Sequence, residues 1–176
     1  TLFTELESHK KRIHKARAFL ILVFAAVGAN MSVVHAATYQ SLENVQGLNS
    51  AYDFRLTDPQ TAALFLQLIH ETWLDEDVKG MEEPANFVVV INGGAVRLIA
   101  ENQVGYSAED KVYLEAIENR IADMVEDGIR FEGCLKAAEI FGVDHDRFFA
   151  GIHKINNAWI SVAGYQAQRY AALPIN

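Results

Sequence analysis

With 176 residues, 51% of them apolar and 10% aromatic, the chain has room for one ordinary domain and enough apolar surface to bury a core. The formal net charge is −8, and residues 1–36 carry Lys10, Lys11, Arg12, Lys15 and Arg17 against only Glu5 and Glu7, so the remainder is more acidic still. Such a surface repels phosphate backbones and argues against a nucleic-acid partner, while a single cysteine excludes an intrachain disulfide framework.

The chain opens with an expected export signal or N-terminal anchor over residues 1–37. Basic residues precede the apolar run Ala18 to Val27, and Val34-His35-Ala36 fits the small-x-small pattern of a signal-peptidase site. The strongly apolar part is only ~10 residues long, against the ~20 of a membrane span, which favours a cleaved signal. The expected location is therefore periplasmic or secreted. The alternative is a protein anchored in the membrane by residues 18–36, and a membrane enters only if that segment is retained.

Residues 38–50 are polar and read as a lead-in to a single domain over 51–176. Ala51 to Leu56 alternates with period two, as a strand does. Thr57-Asp58-Pro59 signals a helix start, with Ala62, Phe65, Leu66, Ile69 and Trp73 recurring on one face. Asp75 to Pro84 is charged and loop-like. Phe87 to Ile91 is a continuous apolar run of the kind that fills a parallel strand buried on both faces, ending in Asn92-Gly93-Gly94. Ser107 and Asp110 are spaced as a capping box before a helix striped by Leu114, Ile117, Ile121 and Met124, and Gly128 closes it. A third strand, Ile129 to Gly133, leads into Cys134, a helix over Leu135 to Phe141, and Gly142. Gly151 to Ile155 reads as a fourth strand, Asn156 or Asn157 to Arg169 as the last helix, and Tyr170 to Ile175 as a closing edge strand that tolerates Pro174. This alternation predicts an α/β fold with a mostly parallel five-stranded sheet and helices on both faces.

In such sheets ligands bind at the carboxyl ends of the strands. Two junctions qualify: Asn92-Gly93-Gly94, where the glycines could form an amide nest for an anion or persulfide, and Gly133-Cys134. A thiol in the first turn of a helix faces the positive end of the macrodipole and free N–H groups, both of which favour the nucleophilic thiolate. Arg130 and Lys136 could add positive potential, against Glu132, and Gly133 would let the backbone turn tightly and leave the sulfur open. The competing reading is a small buried hydrophobe. His145 and His153 could approach Cys134, but no histidine pairs with another histidine or with the cysteine at ligand spacing, so no metal site is expected. The absence of GxxxxGK[ST] and GxGxxG leaves no nucleotide cofactor in prospect.

Gly128-Ile129-Arg130-Phe131-Glu132-Gly133-Cys134, followed by Phe141-Gly142-Val143, resembles the cysteine segment of DsrE/DsrF-like proteins, a "Gly-Val-x-Phe-x-x-Cys" strand entering a helix that ends in a Gly-Val turn. Phe87 to Val96 is similar to the hydrophobic strand and "His-Gly-x-Ala-Val" turn of that family, with Asn92 in place of the histidine. Gln168 to Pro174 is similar to its "Gln-x-Gly-Tyr-Ala-x-Ile-x-Pro" ending, with Arg169 in place of the glycine. The resemblance spans Ala51 to Pro174. It implies a three-layer α/β/α sandwich, a homo-oligomer (trimer or hexamer), and carriage of sulfane sulfur as a persulfide on Cys134 between a donor and an acceptor protein, with no cofactor. An oligomeric binding or scaffold protein with an inert cysteine is the alternative function.

Overall fold

The computed structural model describes residues 39–101 and 105–176; the expected export segment lies outside the described residues. Tyr39–Asn176 forms one compact unit. Its elements are β1 (Asn49–Phe54), α1 (Pro59–Leu74), α2 (Glu76–Lys79), β2 (Asn86–Ile91), a 3-10 helix over Gly93–Ile99, α3 (Lys111–Glu126), β3 (Arg130–Cys134), α4 (Leu135–Phe141), β4 (Ile152–Ile155), α5 (Ala158–Ala167) and β5 (Ala171–Ile175). No helix among the described residues is long and apolar enough to cross a membrane.

The five strands make one sheet in the order β4-β3-β2-β1-β5, and every pairing is parallel. From β1 to β4 each crossover steps the same way across the sheet, and right-handedness puts their connections on one face. The step from β4 returns to the far side of β1, so α5 falls on the other face. Side-chain contacts agree. Tyr52 and Phe87 point to the α1 side, where Phe87 meets Trp73 edge-on at 5.3 Å and Tyr52 at 5.5 Å. Glu132 points to the α5 side, where it meets Ser161 and Tyr165. The fold is thus α/β in three layers, and the buried core lies mainly between the sheet and α1 and α3, around Phe54, Leu66, Phe87, Leu114, Ile117 and Phe131.

Local chemistry explains where the elements begin. The Asp58 carboxylate accepts from the Thr61 N–H at 2.8 Å and Pro59 supplies the first helical φ. Ser107 and Asp110 form the expected reciprocal box: the carboxylate accepts from the Ser107 N–H at 2.8 Å and the hydroxyl accepts from the Asp110 N–H at 3.3 Å.

Three helices end in the same motif, in which the N–H two residues past the last turn reaches back to a carbonyl five residues earlier. The bonds are Ile129 to Met124 (2.9 Å), Val143 to Ala138 (2.9 Å) and Tyr170 to Tyr165 (3.0 Å). The residue between must be left-handed. Gly128 (φ 97°) and Gly142 (φ 67°) fill two of these positions, and Arg169 (φ 70°) fills the third.

Two expectations need correction. The first strand starts at Asn49, inside the expected lead-in of 38–50, because Asn49 and Ser50 already pair with Asn86 and Phe87; the lead-in itself contains a 3-10 turn over Gln40–Leu42. The charged Asp75 to Pro84 segment is not all loop: Asp75 accepts from the Asp77 N–H at 2.9 Å and starts α2, whose Val78 is buried.

Candidate functional site

Connections after β1 to β3 leave on one face and the connection after β4 on the other, so a crevice opens at the carboxyl ends of β3 and β4, where open α/β sheets bind ligands. A pocket of about 280 Å³ occupies it, lined by Arg55, Asn92, Gly93, Cys134, Lys136, Ala137, Ile140, Phe141, Asn157 and Trp159.

Cys134 closes β3 and caps α4. Its side chain is 97% buried (3% exposed), yet its sulfur faces donors rather than hydrocarbon alone: the N–H groups of Ala137, in the first turn of α4, and of Ala158, in the first turn of α5, both point to Sγ at 3.4 Å. Two amides from two helices on one sulfur are suited to a negatively charged sulfur or persulfide. The Asn157 side chain starts α5 by accepting from the Trp159 N–H at 2.9 Å, which brings Ala158 into place.

Register carries the site across the sheet. Phe54 pairs with Ile91 and Ile91 with Gly133, so the residues that follow, Arg55, Asn92 and Cys134, stand in one row on the α5 face. The Asn92 side chain is 9% exposed. Its Oδ1 accepts from the Gly93 N–H at 2.7 Å, which leaves its NH2 group facing the pocket with no partner among the described residues. Arg55 holds Asp53 through Nε (3.1 Å) and one terminal nitrogen (2.5 Å), and Lys136 pairs with Glu139 at 2.6 Å. Ile140 and Trp159 at the rim are 68% and 71% exposed.

The expected site residues are only partly brought together. Cys134, Asn92 and Gly93 share the pocket; Gly94 and Gly133 do not line it. Gly93 does not offer the free amide of a nest, since Asn92 takes it. Gly94 is small because Thr57 packs on it, a Cβ there falling 2.7 Å from Thr57 Cγ2. Gly133 has no positive φ, so it is not a tight-turn glycine; a Cβ there would lie 2.6 Å from the ring of Phe148, on the face away from the sulfur. Arg130 does not lend its charge to Cys134 but pairs with Glu132 at 2.8 Å. His145 and His153 are exposed and neither lines the pocket. Arg55, Asn157 and Trp159 went unrecognised in the sequence, because only strand register and the return of α5 across the sheet bring them to the cysteine.

Beside the pocket lies a buried acid. Glu132 is 3% exposed and accepts from Tyr165 OH and Arg130 Nε, both at 2.8 Å, and from the Ser161 hydroxyl. Burial pushes its carboxyl up, but the hydrogen bonds from Ser161, Arg130 and Tyr165 outweigh that and hold it below the ordinary carboxylate value. Burial and the Glu132 charge push the Tyr165 phenol up to about 12. On the opposite side of the sheet, His70 of α1 is buried between Asp127 (Nε2 to Oδ2, 2.6 Å) and Arg120 (3.1 Å to Nδ1). Since the guanidinium can only donate, Nδ1 accepts and Nε2 carries the proton. That cluster ties α1 to α3 and is remote from the pocket.

No protein-family model matches the chain, and no curated protein matches it. Among solved structures it is similar to a protein of unknown function, MTH1491, from Methanobacterium thermoautotrophicum, with a TM-score of 0.57 and 13% identity over 72% of this chain and 98% of that one. It also aligns with BT1422, a conserved protein of unknown function from Bacteroides thetaiotaomicron, with a TM-score of 0.43 and 18% identity over 72% of this chain and 95% of that one. The likeness to the Methanobacterium protein establishes a shared α/β fold across nearly the whole of that chain, and no more than the fold.

Proposed function

We propose that this chain carries sulfane sulfur as a persulfide on Cys134, in the manner of the DsrE/DsrF-like proteins it resembles. The observation that carries the reading is the pair of N–H groups, from Ala137 and Ala158, aimed at a sulfur on the wall of an open pocket. In loading, the Cys134 thiolate attacks the outer sulfur of a persulfide R–S–SH; the S–S bond breaks, R–S⁻ leaves, and Cys134–S–SH forms with no change in overall oxidation state. Delivery is the same exchange with an acceptor thiolate. Arg169 supports the resemblance as well, because its φ of 70° is one that glycine accepts freely and its position is the one where the family pattern has glycine.

The persulfide carrier would act outside the cytoplasm as a homo-oligomer of three or six copies. The apolar side chains of Ile140 and Trp159, which line the pocket, and of Ile160, next to Trp159 in α5, are all more than two-thirds exposed and are suited to burial between copies. Incubation of the purified protein with a sulfane-sulfur donor, followed by intact-mass measurement, should show one added sulfur on the wild type and none on Cys134→Ser; an unmodified wild-type mass would overturn the proposal.

A second reading has one observation in its favour. With Cys134 97% buried (3% exposed) and the rim apolar, the surface also suits an oligomeric binding protein whose thiol is inert. Thiol labelling separates the two: an inert cysteine reacts only after unfolding, whereas a carrier reacts in the native state.

A further inference from the structure

The pocket contains a polar group that the persulfide chemistry leaves unused. Asn92 is 9% exposed, its Oδ1 is committed to the Gly93 N–H, and its NH2 group is turned into the pocket without a partner among the described residues. Because a backbone N–H can only donate, the side-chain atom bonded to it must be the oxygen, which assigns the inward group as a donor. The group is open to the pocket, since no buried side-chain nitrogen or oxygen among the described residues lacks a partner, and a donor so placed is free to meet an acceptor brought in by a ligand. The other polar side chains that reach the same wall from neighbouring elements are Arg55, Lys136 and Asn157. Arg55 uses Nε and one terminal nitrogen on Asp53, which leaves its other terminal nitrogen, and Lys136 gives one of its three ammonium hydrogens to Glu139. Among the described residues no acidic side chain lines the pocket.

We infer that Asn92 and Arg55 bind the carboxylate of a small organic persulfide, so that the sulfur donor is an amino-acid-sized molecule and not only a protein. This inference rests on the persulfide reading of Cys134. The geometry fits it in three respects. Asn92 stands one strand spacing (about 4.8 Å) from Cys134 and Arg55 two, so a carboxylate held between them leaves the thiol end of a cysteine-sized ligand at the sulfur. The volume of about 280 Å³ is at the small end of ligand pockets and takes such a molecule whole. Trp159, Phe141 and Ala137 wall the remainder with apolar surface suited to the methylene and sulfur atoms. The step is the exchange already written, with cysteine thiolate as the leaving group.

Cysteine hydropersulfide and cysteamine hydropersulfide, which differ in the carboxylate, provide the test. The rate at which each adds one sulfur to Cys134 is read by mass and divided by its rate with a free thiol in solution. The wild type should prefer the carboxylate-bearing donor by about ten-fold or more, as expected for a charge-assisted hydrogen bond. Asn92→Asp keeps the oxygen that accepts from Gly93 but replaces the donor with a negative group, and should abolish or invert the preference; unchanged thermal unfolding of this variant serves as the folding control. Equal normalised rates in the wild type would overturn the inference while leaving the persulfide reading standing. A preference that survives Asn92→Asp would overturn the assignment of Asn92. Failure of both donors to modify Cys134 would remove the persulfide reading and this inference together.

Discussion

The Sγ of Cys134 and the backbone nitrogen of Ala158 lie 3.4 Å apart, although 24 residues separate them in the chain. One belongs to the end of β3 and the other to the start of α5, and they meet because α5 must cross the sheet to deliver β5 beside β1. The contact makes the sulfur environment a product of topology, and its consequences can be measured.

Cys134→Ala should remove sulfur loading and native-state thiol labelling while leaving the fold intact. The side chain is small and buried, so its truncation is expected to destabilise by about 1 kcal/mol, within the ordinary range for a single substitution. Circular dichroism with thermal unfolding gives the second number and separates loss of chemistry from loss of structure. A variant that fails to fold would mean that the thiol is chiefly a packing residue.

Glu132 predicts a specific acid sensitivity. Its native carboxyl is held below the ordinary value of 4.5, so its stabilisation is fully present above that value and is lost progressively as pH falls from there through the lowered native value. Glu132→Gln should therefore flatten the dependence of Tm on pH on the acid side of the ordinary carboxylate value. At neutral pH it should cost about 2 kcal/mol, less than a fully buried pair because the Arg130 partner is 44% exposed. Equal acid slopes for wild type and variant would show that the carboxylate is not held this way.

Gly133→Ala tests why that glycine precedes the cysteine. The added methyl would meet Phe148 at 2.6 Å and Ile99 at 3.1 Å, so the ring must shift, with an expected loss of about 2 kcal/mol from overpacking. Phe148→Leu in the same chain should recover part of that loss. If the residue served the backbone turn instead, the second substitution would add its own penalty and rescue nothing.

Arg169→Gly should stabilise the protein by about 1 kcal/mol, because the left-handed conformation that strains arginine is open to glycine. The helix-ending bonds from Arg169 to Gln166 and from Tyr170 to Tyr165 are made by the backbone and survive the change. Chemical denaturation is sufficient to read the shift in midpoint, and a destabilised variant would indicate that the arginine side chain contributes more than its backbone costs.

Trp159→Glu combined with Ile160→Glu should shift a homo-oligomer towards monomer in light scattering at fixed concentration. Both side chains are more than 70% exposed on α5, so the substitutions should leave Tm of the monomer within a few degrees, as surface changes do. A wild type that is already monomeric across the accessible concentration range would remove the oligomer from the proposal.

Much of this molecule is written in short stretches of chain. The Asp58-Pro59 helix start, the Ser107 and Asp110 box, the helix ends at Gly128 and Gly142, and the apolar run from Phe87 to Ile91 all depend on neighbours a few residues apart, and their alternation sufficed to predict a parallel α/β sheet. The position of Cys134 at a strand-to-helix junction is local in the same sense. What surrounds that sulfur is not. Arg55 and Asn92 reach it through register, Ala158 and Trp159 through the crossing of α5, and Gly133 owes its size to Phe148 on the opposite face. A residue's own neighbours in sequence specify backbone conformation, because φ and ψ answer to local sterics and hydrogen bonds. Pockets, buried acids and converging donors are set by which strands lie side by side, and that is decided only when the whole sheet is assembled and its core is buried.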